Sequence, residues 1–238
     1  MNAGMSALRM GARVWLRHLA RWARICGVIA SGVVAAAWFL FSAVLEALAL
    51  GLGVGLVVLA CTGLRPPPDA KRWFQGGFGE RRTARALAVA RRSGRLRGWW
   101  FAHDLRVPRS RANLDHAAVH PSGRVVLYLD TKAWHAKGAV VKMDGSKLKY
   151  GPWDQTKALD TVKWEARKLA EGVRGVPVVP VIVCDKTTVE GGIIELDGAY
   201  VVSSRNLVQA LRGIDSGRRD KSEARRVRRL IEAGFPRK

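Results

Sequence analysis

Two charged residues separated by one position, Asp130 and Lys132, are the first candidates for chemistry in this sequence. They end an apolar run, 124–132, that predicts a β-strand, in which alternate side chains share a face. Asp130 and Lys132 therefore lie on one side of that strand. A carboxylate can bind a metal ion there, and an ammonium can stabilise negative charge on a phosphate. The simpler interpretation is a surface ion pair at a strand end.

Two further carboxylates are predicted to reach the same place. Asp115 lies in the preceding strand-like run, 112–120, and the turn residues 121–123 predict an antiparallel hairpin that sets Asp115 near Asp130. Glu80 lies on the apolar stripe of a helix predicted over 79–92. Three carboxylates around one point suit a divalent cation such as Mg²⁺, although Asp115 beside His116 is also consistent with a structural pair.

The order of these motifs resembles a known family. The chain has Gly79-Glu80 with Thr83-Ala84, His103-Asp104, residues 112–116, residues 121–123 and Asp130-Thr131-Lys132-Ala133-Trp134. Together, across 74–184, they resemble the nuclease-related domain, NERD, of the PD-(D/E)XK phosphodiesterase superfamily. Asp130 stands where many superfamily members have Glu.

This resemblance implies a restriction-endonuclease-like core, a site and a cofactor. Asp115 and Asp130 would bind Mg²⁺ or Mn²⁺, Glu80 would complete or support the metal shell, and Lys132 would assist the attacking water. Gln155 resembles a glutamine that some relatives place beside the site. The implied catalytic set is therefore Glu80, Asp115, Asp130, Lys132 and Gln155.

The remaining pattern predicts an α/β domain with a mixed sheet flanked by helices. Strands are expected at 99–105, 112–120, 124–132, 139–142, 147–150, 177–184 and 200–202, with helices at 79–92, 153–172 and 206–211. A basic helix is expected over 216–238. The predicted divisions are 1–24, a basic amphipathic segment; 25–64, a transmembrane segment; 65–73, a proline-rich linker; 74–213, the nuclease-like domain; and 214–238, a basic tail.

The block 25–64 is apolar apart from Glu46. About 40 helical residues at about 1.5 Å each would span about 60 Å, twice a hydrocarbon core. We therefore expect a transmembrane helical hairpin with spans at 27–44 and 47–64 and Glu46 near the outer turn. Basic residues flank both ends, so a hairpin places both ends in the cytoplasm, at the plasma or inner membrane. A single tilted span with an interfacial extension is the alternative.

Positive charge extends beyond the membrane flank. Of 41 Lys and Arg residues, 35 follow the first 65 positions, against 18 of the 19 acids, which leaves about +17 on that part. A domain this basic is expected to meet a polyanion, although a solubilising excess is the simpler explanation. The tail arginines, Arg225, Arg226, Arg228 and Arg229, are predicted to bind nucleic acid, or to lie along the inner leaflet.

The sequence therefore predicts a membrane-anchored, metal-dependent nuclease that hydrolyses DNA phosphodiester bonds, with DNA or other nucleic acid and the lipid bilayer as partners. The alternative is a non-catalytic, membrane-tethered module that binds nucleic acid. A third possibility is a membrane-surface or signalling scaffold that binds no nucleic acid. The carboxylate and lysine set favours the nuclease.

Overall fold

A computed structural model describes residues 5–39, 43–110, 112–214 and 217–237. The chain divides into two compact units, one formed by Ala7–Phe74 and the other by Met1–Ser6 with Gln75–Lys238.

The first unit is helical. Helix α1 covers Met5–Phe39 and helix α2 covers Ala43–Gly63. The basic segment predicted over 1–24 and the start of the apolar block therefore belong to one continuous helix. Within α1, Met5–Ala36 is long and apolar enough to cross a membrane, by length and composition.

The predicted hairpin of two membrane spans is wrong, because one helix rather than a pair meets this criterion in the described chain. Another apolar stretch, Gly51–Gly63, covers only about 20 Å at about 1.5 Å per residue, which is short of a hydrocarbon core of about 30 Å. The turn expected near Glu46 is also misplaced, since that residue lies inside α2.

Helix α3, Pro68–Arg92, begins eleven residues earlier than the sequence predicts. Proline is tolerated in the first turn of a helix, where its missing N–H has no intrahelical partner, so Pro68 starts this helix instead of ending a spacer. Most of the stretch 65–73, expected as a linker, is consequently helical.

A six-stranded sheet forms the second unit, with the order β1-β2-β3-β7-β10-β9. Its first three strands, β1 Trp100–Arg106, β2 Asn113–Val119 and β3 Val126–Lys132, form an antiparallel meander. Three strands complete it, namely β7 Val178–Cys184, β9 Ile193–Leu196 and β10 Ala199–Ser203, with β7 parallel to both β3 and β10. The predicted mixed α/β fold is confirmed.

A smaller sheet is formed by three strands that lie between β3 and the next helix and by one short strand that follows β7. It has the order β6-β5-β4-β8 and contains β4 Val140–Asp144, β5 Lys147–Tyr150, β6 Trp153–Asp154 and β8 Thr188–Val189. Helix α4, Thr156–Val173, then returns the chain so that β7 can pair in parallel with β3.

Helices cover both faces of the large sheet. On one face, α4 and the last helix, α6, Lys221–Gly234, pack with Val126 and Tyr128 of β3. On the other face, α3 and helix α5, Leu207–Gly213, pack with Leu127 and Leu129. The side chains of β3 therefore enter two different cores, as expected for a sheet covered on both faces.

The last helix is part of this fold. Val227 and Ile231 of α6 are completely buried, and Asp220 N–H donates to the carbonyl of Pro121 in the β2–β3 turn. Gly123 in that turn has φ 71°, and a Cβ added there would lie 2.5 Å from the backbone nitrogen of Ala224. A glycine is needed at this position for both reasons.

Gly123→Ala is expected to loosen α6 and to lower the free energy of unfolding by more than the ~1–3 kcal/mol that a strained backbone alone costs. Gly138→Ala is the matched control, because Gly138 has φ 73° but open space where a Cβ would lie. Urea unfolding of both variants measures the difference. Equal losses would show that the turn does not contact α6 as described.

Candidate active site

The pairing of β2 and β3 brings two carboxylates together. The paired register ends with His116 opposite Leu129, and its continuation by one residue would set Asp115 opposite Asp130. Side chains at directly opposed positions lie about 5 Å apart at Cβ on one face of the sheet. The backbone N–H of Thr131 also donates to Asp115 Oδ2 at 2.9 Å, which fixes that carboxylate against β3.

Lys132 stands between these acids. Its Nζ lies 2.8 Å from Asp130 Oδ2, and Asp130 is buried at the end of β3. Burial alone would lower the pKa of Lys132, but attraction to Asp130 and a hydrogen bond that Lys132 donates to its carboxylate, with smaller effects of Asp115 and Glu165, raise it. Lys132 is therefore a fixed cation at neutral pH rather than a base.

Glu80 of α3 crowds the same carboxylates. It is buried, and its charge is the largest electrostatic influence on Asp115, whose pKa is raised well above its usual value by desolvation, then by Glu80 and Asp130. Lys132 and the N–H of Thr131 oppose this rise. The apolar-stripe argument thus places Glu80 correctly, facing inward.

An ion pair that sequence reasoning missed holds α3 at this end of the sheet. Arg82 Nε donates to both oxygens of Asp185, at 3.0 and 3.1 Å, and Arg82 Nη2 makes a further, shorter contact. Asp185 follows β7 directly and is almost fully buried, with its N–H bonded to the carbonyl of Lys132. An acid just after an apolar parallel strand was the available signal.

A second missed residue is Glu165 of α4. Its Oε2 accepts a hydrogen bond from the hydroxyl of Tyr128 at 2.9 Å, and Tyr128 shares the strand face of Asp130 and Lys132. Burial and then Asp130 raise the pKa of Glu165 to about 7. Its position beside Val162, Ala166 and Leu169 on the apolar stripe of α4 resembles that of Glu80 on α3.

The donor chemistry fits a divalent cation, but the side chains are not yet arranged around one. Burial and then repulsion from Glu80 and Asp130 raise the pKa of Asp115, and a divalent ion would stabilise the ionised form of such a carboxylate. Among the described residues, however, no three His, Cys, Asp or Glu side chains are arranged so that they could hold one in their present positions. Asp130 Oδ2, which would be a metal ligand, contacts the ammonium of Lys132 instead.

Comparison with protein families gives the decisive observation, since residues 75–184 match the family described as Nuclease-related domain. Residues 75–184 are therefore similar to this family, and we refer to them as the nuclease-related domain. The predicted resemblance to NERD is confirmed. Comparisons with curated proteins and with solved structures give no match.

Two groups of predicted site residues lie apart from the carboxylates of the nuclease-related domain. Gln155 precedes α4, where its N–H bonds to Leu148, and no hydrogen bond of its side chain reaches the cluster in the described structure. The four tail arginines lie on α6, outside the matched segment. Arg226 pairs with Glu223 and Arg228 with Glu232, whereas Arg225 and Arg229 have no acidic partner among the described residues.

The other face of β2 carries a buried histidine pair. His103 Nδ1 and His116 Nδ1 are 2.9 Å apart, and His116 Nε2 lies 3.4 Å from the hydroxyl of Thr131. Burial lowers the pKa of His103 to about 4 and that of His116 below its usual value. Both rings are therefore neutral at pH 7, and they pack against the face of β2 that is opposite Asp115.

Arg82→Gln should leave Asp185 buried without its cation and lower the free energy of unfolding by about 2–3 kcal/mol, less than a fully buried pair because Arg82 is partly exposed. Urea unfolding of a double-mutant cycle with Asp185→Asn measures the coupling. If the losses of the two single variants simply add in the double variant, the two side chains are not coupled and the ion pair does not hold α3.

Glu165→Gln should stabilise the protein above pH 7 and have little effect at pH 5. The raised pKa of Glu165 means that its stabilising, protonated form is complete below about pH 4.5 and is lost as pH rises through about 7. Unfolding by urea at the two pH values, in EDTA, measures this.

Glu171→Gln on the same helix is the control, because Glu171 is exposed and pairs with Lys168. An equal gain for Glu165→Gln at both pH values would contradict the proposed burial of its carboxyl.

Proposed function

We propose that this protein is a nuclease that hydrolyses the phosphodiester bonds of DNA with the help of a divalent metal ion. Its core would be of the restriction-endonuclease type. The observation that carries the proposal is the 2.8 Å contact of Lys132 with Asp130, beside Asp115, at one end of the sheet of a nuclease-related domain. A surface ion pair would not be surrounded by further inward-facing carboxylates.

Asp115 and Asp130 would hold Mg²⁺ or Mn²⁺, with Glu80 completing or supporting the shell. The ion supplies charge neutralisation at the phosphate and a more acidic bound water. Asp115 would bind the ion with a carboxylate that Thr131 N–H already orients. Because the carboxylates repel one another, their ionised state is stabilised when a cation is present, so metal affinity should fall as pH falls through the raised pKa of Asp115.

Lys132 acts in this scheme through its charge. With a raised pKa it stays protonated, so it can donate hydrogen bonds to the attacking water or to a phosphate oxygen but cannot take a proton. Its contact with Asp130 holds the ammonium at the strand end. Gln155 remains a candidate for a supporting role at the start of α4.

The alternative is a membrane-tethered module that binds nucleic acid without cutting it. The observation that favours it is the absence, among the described residues, of three side chains already placed to hold a metal. The excess of positive charge after position 65 suits this alternative equally. Turnover, rather than binding, separates the two functions.

We also propose that α1 anchors the protein in the plasma or inner membrane and that the nuclease-related domain faces the cytoplasm. The support for the anchor is the apolar length of Met5–Ala36. Arginines and lysines lie on both sides of the apolar block, so the cytoplasmic side rests on the expected nucleic-acid partner and not on the charge of the flanks. Nucleic acid is present on that side of the membrane.

The full chain in detergent should cleave DNA with Mg²⁺ or Mn²⁺ and lose this activity in EDTA. Asp130→Asn and Lys132→Met should each lower the rate by about 100-fold or more, because each removes a charge that the reaction uses. Linear, circular and single-stranded DNA are assayed on gels, and circular dichroism checks folding.

Asp144→Asn, an exposed acid at the end of β4, is the control and should cleave as the wild type does. A folded wild-type protein that binds DNA but cuts none of these forms would refute the nuclease proposal and support the membrane-tethered binding module.

A further inference from the structure

A groove lined by aromatic rings and cations lies between α6 and the start of β1, and we refer to it as the distal groove. Its volume is about 270 Å³. Trp99, Trp100 and Pro121 line it, together with the cations Arg219, Lys221, Arg225 and Arg228. No acidic side chain lines it within the described chain.

Two of the four cations of the distal groove, Arg219 and Arg228, are held in place. The guanidinium of Arg219 lies against Gly98 and donates to the carbonyl of Arg97, an approach that a side chain at position 98 would block. Arg228 bonds to Glu232 at 3.0 Å and lies 5.5 Å from the ring centre of Trp100. A cation over an indole ring is a stabilising arrangement.

The acids nearest the groove are already engaged. Asp220 caps α6 by accepting from the N–H groups of Ser222 and Glu223, and Glu223 bonds to Arg226. Arg225 therefore keeps an uncompensated charge, and Arg229 four residues later adds a second on the helix surface. Like charges at this spacing repel one another, so α6 is better suited to a polyanion than to water alone.

A membrane surface fits α6 less well. A helix that lies on a bilayer needs large apolar side chains exposed beside its cations. Of the large apolar residues of α6, Val227 and Ile231 are completely buried in the domain and Leu230 is half-buried, and in the groove Trp99 is buried and Trp100 half-buried. A planar base with an attached phosphate matches a groove lined by aromatic rings and cations.

The distal groove is separate from the candidate active site. Trp100 pairs with Val119, which pairs with Val126, so the groove lies at the opposite strand ends from Asp130. At about 3.3 Å per residue and about 4.8 Å per strand, the separation is about 16 Å. The volume is near the lower end of small-ligand pockets, about 300 Å³, which suits one base rather than a duplex.

We propose that the distal groove binds one unpaired nucleotide of a single-stranded nucleic acid, with the base beside Trp100 and the phosphate held by Arg225 and Lys221. This rests on the nucleic-acid part of the proposed function and adds to it a preference for single-stranded segments. The predicted tail arginines then have two roles. Arg225 contacts the ligand directly, whereas Arg226 stabilises α6 through its ion pair and Arg228 contacts the ring of Trp100.

Fluorescence anisotropy with labelled oligothymidine tests this, using the full chain in neutral detergent with EDTA. Arg225→Gln should weaken binding and reduce the slope of log Kd against log salt by about 0.7, the value for one phosphate contact on a single strand. Trp100→Leu should raise Kd about tenfold while leaving the salt slope unchanged, since stacking is not an ionic contact.

Two variants keep the test interpretable. Arg212→Gln removes an exposed arginine from α5, which contacts β10 and does not line the groove, and should leave Kd and slope near the wild-type values. Trp100→Phe retains a ring and should retain most of the affinity, so a large loss only for Trp100→Leu supports stacking. Inorganic polyphosphate should bind Trp100→Leu as tightly as it binds the wild type.

Unchanged oligothymidine affinity in both Arg225→Gln and Trp100→Leu would overturn the proposal, and is the result expected if the groove serves a membrane. Equal weakening of polyphosphate and oligothymidine binding by Trp100→Leu would overturn the role of the base. Because EDTA removes divalent ions from the assay, Asp130→Asn should bind as the wild type does, so a failed cleavage experiment and a failed groove experiment are distinguishable.

Discussion

The contact between Lys132 and Asp130 is the interaction on which the carboxylate cluster depends. The register of β2 and β3 sets two acids opposite one another, and α3 adds a third. Such a group repels itself in a site with little water, and the ammonium 2.8 Å from Asp130 is the cation that the chain supplies from within. The raised pKa values of Asp115 and Lys132 are two consequences of the same crowding.

The surrounding fold positions this cluster by means of strand ends. The parallel pairing of β3 with β7 brings Lys132 and Asp185 to the same edge, and Arg82 then joins α3 to that edge through Asp185. Glu80 lies two residues before Arg82 on the same helix. The ion pair therefore positions Glu80, as strand pairing positions Asp115. On the opposite face of the sheet, α4 packs with Glu165 bonded to Tyr128.

Local patterns were enough to predict part of this site. Alternation along β3 and the turn at 121–123 predict that Asp115, Asp130 and Lys132 meet, and the apolar stripe of α3 predicts that Glu80 faces inward. Glu165 and Asp185 were missed because their positions depend on how α4 and α3 cross the sheet, which no local pattern specifies. The hairpin was wrong because hydropathy gives the length of an apolar block but not where its helices begin and end.

The end of the family segment has a consequence for how this domain folds. The matched region stops at Cys184, the last residue of β7, yet β7 pairs on its far side with β10, and α6 buries Val227 and Ile231 against the other face. If the chain were cut at that boundary, β7 would become an apolar edge strand with an unpaired row of N–H and C=O groups. Such an edge is a template for aggregation. The family segment and the autonomous folding unit are therefore different lengths of chain, and the carboxylate cluster relies on a scaffold that the family segment does not include.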